Sequence, residues 1–127
     1  MLSDATPMGF IAVSDFDRAR AFYEGILGLT VVGQDGFAMV LRSGSILIRL
    51  AKPEQVVVAP YTTFGWQVAQ IDNKVLGLTA QGVTFELYPF FGDAQTAHGV
   101  WTAPGGDKIA WFKDPDGNLL SLSEHVT

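Results

Sequence analysis

The sequence contains no cysteine, so neither a disulfide nor a thiolate ligand is available, and the expected compartment is the cytoplasm. Imidazole is scarce as well: the two histidines are His98 and His125. Eight Lys and Arg stand against thirteen Asp and Glu, leaving a formal charge of −5. Phosphate contacts need clustered cations, so this balance excludes a nucleic-acid partner. No apolar run approaches the roughly 20 residues of a membrane-spanning helix, and the N-terminus lacks a basic-then-apolar leader pattern. A membrane partner is therefore not expected.

What remains is a chain of 127 residues, 48% hydrophobic and 17% charged. That composition suits a single globular domain spanning 1–127 with a substantial buried core. The apolar share is high for a small monomer, which points to surface covered by a second copy of the chain.

The order of elements repeats. Met8–Val13 reads as a strand, and Ser14 or Asp15 can cap the helix that follows. Phe16, Ala19, Phe22, Tyr23, Ile26 and Leu27 then fall on one helical face, and Gly28 is a left-handed stop. Leu29–Val32, Phe37–Arg42 and Ile46–Leu50 are strand candidates, and Val56–Ala59 is a short extended candidate. In the second half Phe64–Ile71 reads as a strand, Asp72 as a cap, Lys74–Gln81 as a helix and Gly82 as its stop. Val83–Tyr88, Gly99–Thr102, Lys108–Lys113 and Leu119–Ser123 follow as strands. The landmarks repeat at about 55 residues, giving repeats 8–52 and 64–124 of strand, helix and three strands. The expected class is α+β, two βαβββ units forming a curved mixed sheet around a cleft. A ferredoxin-like sandwich is the alternative, but each half has one strand too many for it.

The clearest local signal is Asp114-Pro115-Asp116-Gly117 between two strand runs. Proline presets the first central turn position and Gly117 can adopt the left-handed conformation that closes a hairpin with a bulge. This hairpin, Lys108–Leu122, and the earlier Val13–Leu29 segment, with its "D…A..FY...LG" pattern, resemble the vicinal oxygen chelate superfamily. That superfamily includes glyoxalase I, the bleomycin-resistance proteins and the extradiol dioxygenases. The resemblance runs from Met8 to Glu124. It implies the paired-unit fold and, for a chain of two units, a homodimer.

In metal-dependent members, four strands each aim one ligand at a divalent ion that chelates two substrate oxygens. The matching positions here are Met8, Arg49, Trp66 and Ser121. A thioether, a guanidinium, an indole and a hydroxyl do not replace His and Glu around such a cation, and Arg49 would repel it. Shifting a strand by one residue reaches Gly9, Ile48, Leu50, Gly65, Gln67, Leu120 or Leu122, none of which restores a ligand. No metal and no other cofactor is therefore expected.

Strand alternation would instead line the cleft with Met8, Phe10 and Trp66, with Arg49, Ser121 and Gln70 as polar points and Trp101 as a further aromatic. Arg49 could clamp a carboxylate or phosphate, and Trp66 could stack on a planar group. The expected partner is a small molecule, aromatic or planar, with an anionic or carbonyl oxygen. The alternative reading is that Met8, Phe10 and Trp66 simply fill a core, with Arg49 paired to an acid. No serine shows a His or carboxylate pattern that the sequence alone certifies as a nucleophilic site.

The leading function is thus a metal-independent binding protein of the bleomycin-resistance type that sequesters or presents its ligand. Two rivals stand beside it. One is a lyase, isomerase or dioxygenase-like enzyme with a displaced metal site; the other is a structural module with a filled cleft.

Overall fold

Each half of the chain folds its four strands into one mixed sheet in the computed structural model, which describes Met1–Thr127. The halves are separate units, Met1–Val58 and Ala59–Thr127. The α+β class and the strand–helix–three-strand order are both observed.

In the first unit, β1 (Met8–Ala12) leads into a helix whose first part, α1, is Phe16–Arg20. Asp15 is the N-cap: extended at φ −148°, it accepts from the Arg18 backbone N–H at 2.9 Å. The helix then widens to a π-helical stretch, Ala21–Ile26, in which Leu27 N–H reaches back to Phe22 O at 2.9 Å. Gly28, at φ 77°, ends it. Strands β2 (Thr30–Gln34), β3 (Ala38–Ser43) and β4 (Ile46–Ala51) complete the sheet in the order β1-β4-β3-β2, with β1 parallel to β4.

Directly paired residues share a face of a sheet, and the face alternates along each strand. Ile11 pairs with Leu50, which pairs in turn with Met39, and Gly9 pairs with Ile48, which pairs in turn with Leu41. Ile11, Leu50, Met39, Ile48 and Leu41 are buried, as are Ala19, Phe22 and Tyr23 of the helix. Phe22 and Tyr23 meet edge to face at 5.1 Å. This is the first unit's core.

The second unit repeats the plan with β5 (Phe64–Gln67), α2 (Ile71–Ala80), β6 (Trp101–Thr102), β7 (Lys108–Lys113) and β8 (Leu119–Glu124), ordered β5-β8-β7-β6. Its core face carries Ala110, Phe112, Leu120 and Leu122, all buried, and α2 lies against β7 and β8 with Ile71 and Val75 buried.

Several expected boundaries move. The fifth strand does not run to Ile71, because Gln70 takes the left-handed conformation at φ 53° and Ile71 already opens the helix. Gln70, and not Asp72, is the cap position; the Ile71 N–H is satisfied from outside by Glu124 Oε1 at 2.9 Å. The two caps, Asp15 and Gln70, are separated by nearly the same length of chain as the helix stops Gly28 and Gly82. Val83–Tyr88 is not a strand despite its β-forming residues. It makes a single bridge, Phe85 to Phe112, before Pro89, which has no N–H to give a ladder, starts a 3₁₀ segment, Pro89–Ala94. The strand expected at Gly99–Thr102 shortens to Trp101–Thr102, and Val56–Ala59 forms none.

The closing hairpin forms as the turn chemistry requires. Asp114 N–H donates to Asn118 O at 3.0 Å and Gly117, at φ 91°, donates to Asp114 O at 2.9 Å. The Asp114 carboxylate also accepts from the backbone N–H groups of Asp116 and Asn118 and from Asn118 Nδ2, at 2.8 to 3.0 Å. Asp114 is 5% exposed and Asn118 4%, so this turn is a buried polar knot.

Candidate functional site

Opposite the first unit's core, the other sheet face carries Met8, Phe10 and Arg49. Phe10 pairs with Arg49, Arg49 with Val40, and Met8 with Leu47, so the expected grouping of these three side chains on one face is what the register produces. Phe10 is 65% exposed and Met8 40%, which is open for side chains of this size, while Arg49 is half-buried. No carboxylate forms an ion pair with Arg49. Asp35 feels its charge, but two backbone N–H groups, of Phe37 and then Ala38, do most to hold that carboxyl below the usual range. Arg49 therefore keeps its donors available to an oxygen-rich group.

In the second unit the face opposite the core is built around Ser121. Ser121 pairs with Gly65 on β5 and Trp111 on β7; Ser123 pairs with Gln67 and Ile109, and Ile109 with Trp101. Gly65 packs closely here: a Cβ would run into Ser121 Oγ and lie 3.1 Å from its carbonyl oxygen. The aromatic rings on this side form a continuous stack. Phe91, from the 3₁₀ segment, lies nearly parallel to Trp101 (4.5 Å, 15°) and to Trp111 (5.7 Å, 16°). Tyr88 meets Trp111 edge-on at 5.4 Å, and burial pushes its phenol pKa up. A cavity of about 230 Å³ adjoins this segment, lined by residues including Tyr88, Pro89, Gly92, Gln95 and Thr96. The Gln95 side chain holds the loop closed by accepting from Tyr88 N–H and donating to Glu86 O and Gly99 O, at 2.8 to 3.2 Å.

Two expected site residues are not on this face. Trp66 pairs with Leu122 and stacks on Phe112 at 6.4 Å, with Phe64 edge-on at 5.1 Å, so it belongs to the core face. The error came from the cap: counted from Gln70, the position matching Met8 is Thr63, whose hydroxyl donates to Leu119 O at 3.3 Å. Gln70 lies past the end of β5 at the start of α2, where its left-handed backbone takes it out of the strand's alternation.

The chemistry of these positions does not fit the family's divalent ion. The matching strand positions are now Met8 and Arg49 in one unit and Thr63 and Ser121 in the other: a thioether, a guanidinium and two hydroxyls. Nowhere in the chain do three or more His, Cys, Asp or Glu side chains gather as ligands would.

Both histidines are engaged with carboxylates. His98 Nε2 lies 2.7 Å from Asp72 Oδ1, and Lys108 Nζ lies 3.7 Å from Asp72 Oδ2. The His98 hydrogen bond is the main reason the Asp72 carboxyl sits below its usual range, with Lys108 adding to it and partial burial opposing it. His125 Nε2 is 2.8 Å from Ser123 Oγ, and its Nδ1 is 3.5 Å from Asp107 Oδ2. Sequence reasoning missed this second grouping. The signal available was the spacing of Ser123 and His125, two apart and hence on the same side of an extended chain.

Comparison with known proteins agrees with the fold. The model of the Glyoxalase/Bleomycin resistance protein/Dioxygenase superfamily matches residues 6–122. Among curated proteins, none matches the sequence. Solved structures similar to this chain include a glyoxalase family protein from Enterococcus faecalis (21% identity, 98% of this chain and 100% of that one, TM-score 0.76). A lactoylglutathione lyase from Agrobacterium tumefaciens is similar at 18% identity, over 98% and 96%, with a TM-score of 0.75. A superfamily member from Sphaerobacter thermophilus reaches 23% identity over 98% and 100%, with a TM-score of 0.74. Identities this low carry the fold and not the reaction.

Proposed function

The chain belongs to the Glyoxalase/Bleomycin resistance protein/Dioxygenase superfamily, and from that premise we propose that it is a small-molecule-binding protein whose site works without the family's divalent metal. The observation that carries this reading is the set of side chains at the strand positions: Met8, Arg49, Thr63 and Ser121 offer no ligand set for a hard or borderline cation. They do offer what an organic ligand needs, which is apolar surface with a few placed polar groups. On the first unit's face, Phe10 and Met8 provide apolar area and Arg49 a forked donor. On the second unit's face, Trp101 and Trp111 provide stacking planes and Ser121 a hydroxyl. Taken each by itself, the first unit's face suits a molecule with a carboxylate or phosphate, and the second unit's face a planar or aromatic molecule with a carbonyl oxygen. The reading places the protein in the cytoplasm as a homodimer, supported by its cysteine-free composition and by exposed apolar side chains such as Phe10, Phe37 and Phe90.

Isothermal titration calorimetry with a panel of aromatic carboxylates and their neutral amides tests the reading at the first unit's face. A carboxylate should bind saturably, and Arg49→Ala should weaken its binding by about tenfold or more, the scale of one charge-assisted hydrogen-bond pair. Equal binding of carboxylate and amide, together with no effect of Arg49→Ala, would remove Arg49 from the site.

A further inference from the structure

We propose that Ser123, His125 and Asp107 form a nucleophilic array able to accept an acyl group from an activated ester, with the aromatic face beside it receiving the acyl chain. This goes beyond the binding reading, because it assigns a covalent step to a set of residues that the family's metal chemistry does not use.

The array is made by three local features of the second unit. Ser123 and His125 stand two residues apart at the end of β8, so both side chains emerge on the same side, and Oγ reaches Nε2 at 2.8 Å. Asp107 comes from the turn before β7 and places Oδ2 3.5 Å from His125 Nδ1. The C-terminal tail is fixed over this turn. Val126 N–H donates to Asp107 Oδ1 at 2.9 Å, and Gly106, at φ 101°, lets the Val126 side chain approach to where a Cβ would be 3.2 Å away. One carboxylate oxygen thus pins the tail while the other faces the imidazole. That order, hydroxyl to one ring nitrogen and carboxylate at the other, is the arrangement in which a base activates a serine. The groups are also reachable, since the His125 and Asp107 side chains are 46% and 40% exposed.

Ser123 lies in the same cross-strand row as Ile109 and Trp101, and the neighbouring row holds Ser121 and Trp111. A substrate whose carbonyl meets Ser123 Oγ would lay its acyl side along this apolar row, which selects an aromatic or bulky acyl group over a small one. In the step itself, the Ser123 O–H adds through oxygen to the ester carbonyl carbon while its proton passes to His125 Nε2. The ester C–O bond breaks, the leaving alkoxide takes the proton from His125, and an acyl-serine remains for water to hydrolyse. Asp107 touches neither substrate nor reacting atom; it is a positioning residue that holds the imidazole and stabilises its protonated form.

The test is labelling of the full-length protein with an alkyl fluorophosphonate, read by peptide mass spectrometry, alongside turnover of p-nitrophenyl benzoate and p-nitrophenyl acetate. The expected result is a single adduct on Ser123, absent in Ser123→Ala and slowed at least about 10²-fold in His125→Ala, the usual worth of a general base. Asp107→Asn should slow labelling and Asp107→Glu should recover part of it, which a purely structural role would not do. Benzoate should be preferred to acetate, and the preference should shrink in Trp101→Ala. An adduct elsewhere, no adduct, or an adduct rate indifferent to His125→Ala overturns the proposal. Carboxylate binding through Arg49 is read separately by calorimetry, so either assignment can fail without the other.

Discussion

The two units share one topology and differ in what they place on the face opposite the core. Both order their strands with the first beside the last, and both cap a helix at matching positions. The first unit's face bears Met8, Phe10 and Arg49, an apolar surface with a cation. The second bears Trp101, Trp111, Ser121 and Ser123, and a 3₁₀ segment lays Phe91 across its tryptophans. The difference shows where function resides in a duplicated scaffold. The core faces are both aliphatic and aromatic fillers, interchangeable in kind, while the opposite faces carry the chemistry that distinguishes one half from the other.

The largest expected effects fall on the cores. Phe112→Ala removes a fully buried ring against Trp66 and Phe85, and should cost about 3–5 kcal/mol in chemical unfolding. Ile48→Ala in the first unit should cost about 2–5 kcal/mol. Trp66→Ala sharpens the contrast of faces: it should lower stability and leave carboxylate affinity unchanged, whereas Arg49→Ala should do the reverse. A loss of affinity in Trp66→Ala without loss of stability would return Trp66 to the site.

The turns come next. Asp114→Ala leaves two backbone N–H groups and the Asn118 amide without their buried acceptor, and should cost roughly 2–3 kcal/mol. The helix caps differ more subtly between the units. Asp15→Ala should cost about 1 kcal/mol, while Gln70→Gly should stabilise by about 0.5 kcal/mol, because glycine relieves the left-handed backbone at φ 53°.

The smallest effect is electrostatic. Asp72 has a depressed pKa in the folded chain, so its contribution to stability is present above the ordinary aspartate value and is lost as pH falls through the depressed one. A carboxyl NMR titration should find Asp72 moving up towards the usual range in His98→Ala. A titration unchanged by that substitution would mean that His98 does not hold it.

The sequence made the closing hairpin legible because Asp-Pro-Asp-Gly dictates a turn by local sterics, independent of what surrounds it. The grouping of Met8, Phe10 and Arg49 was legible from strand alternation once the strands were found. Trp66 and Gln70 were misplaced because the second helix has no side-chain cap. Its first N–H is satisfied by Glu124, 53 residues away in the chain, so the local signal pointed to Asp72 instead. Val83–Tyr88 looked like a strand because valine, phenylalanine and tyrosine favour one, and only tertiary pairing decides how much of a ladder forms. Asp107 could not be joined to Ser123 and His125 from sequence, since the β7–β8 hairpin is what returns the tail to that turn.

Met8, Arg49, Thr63 and Ser121 are not a ligand set for the divalent ion that metal-dependent members of the superfamily hold. Elemental analysis of untagged protein, incubated with Zn, Ni, Mn or Fe(II) and then desalted, tests it most directly. The expected result is no near-stoichiometric metal with any of the four. Retention of about one ion per chain that survives His98→Ala and His125→Ala would contradict it, and would require ligands among the strand residues Met8, Arg49, Thr63 and Ser121 or their neighbours.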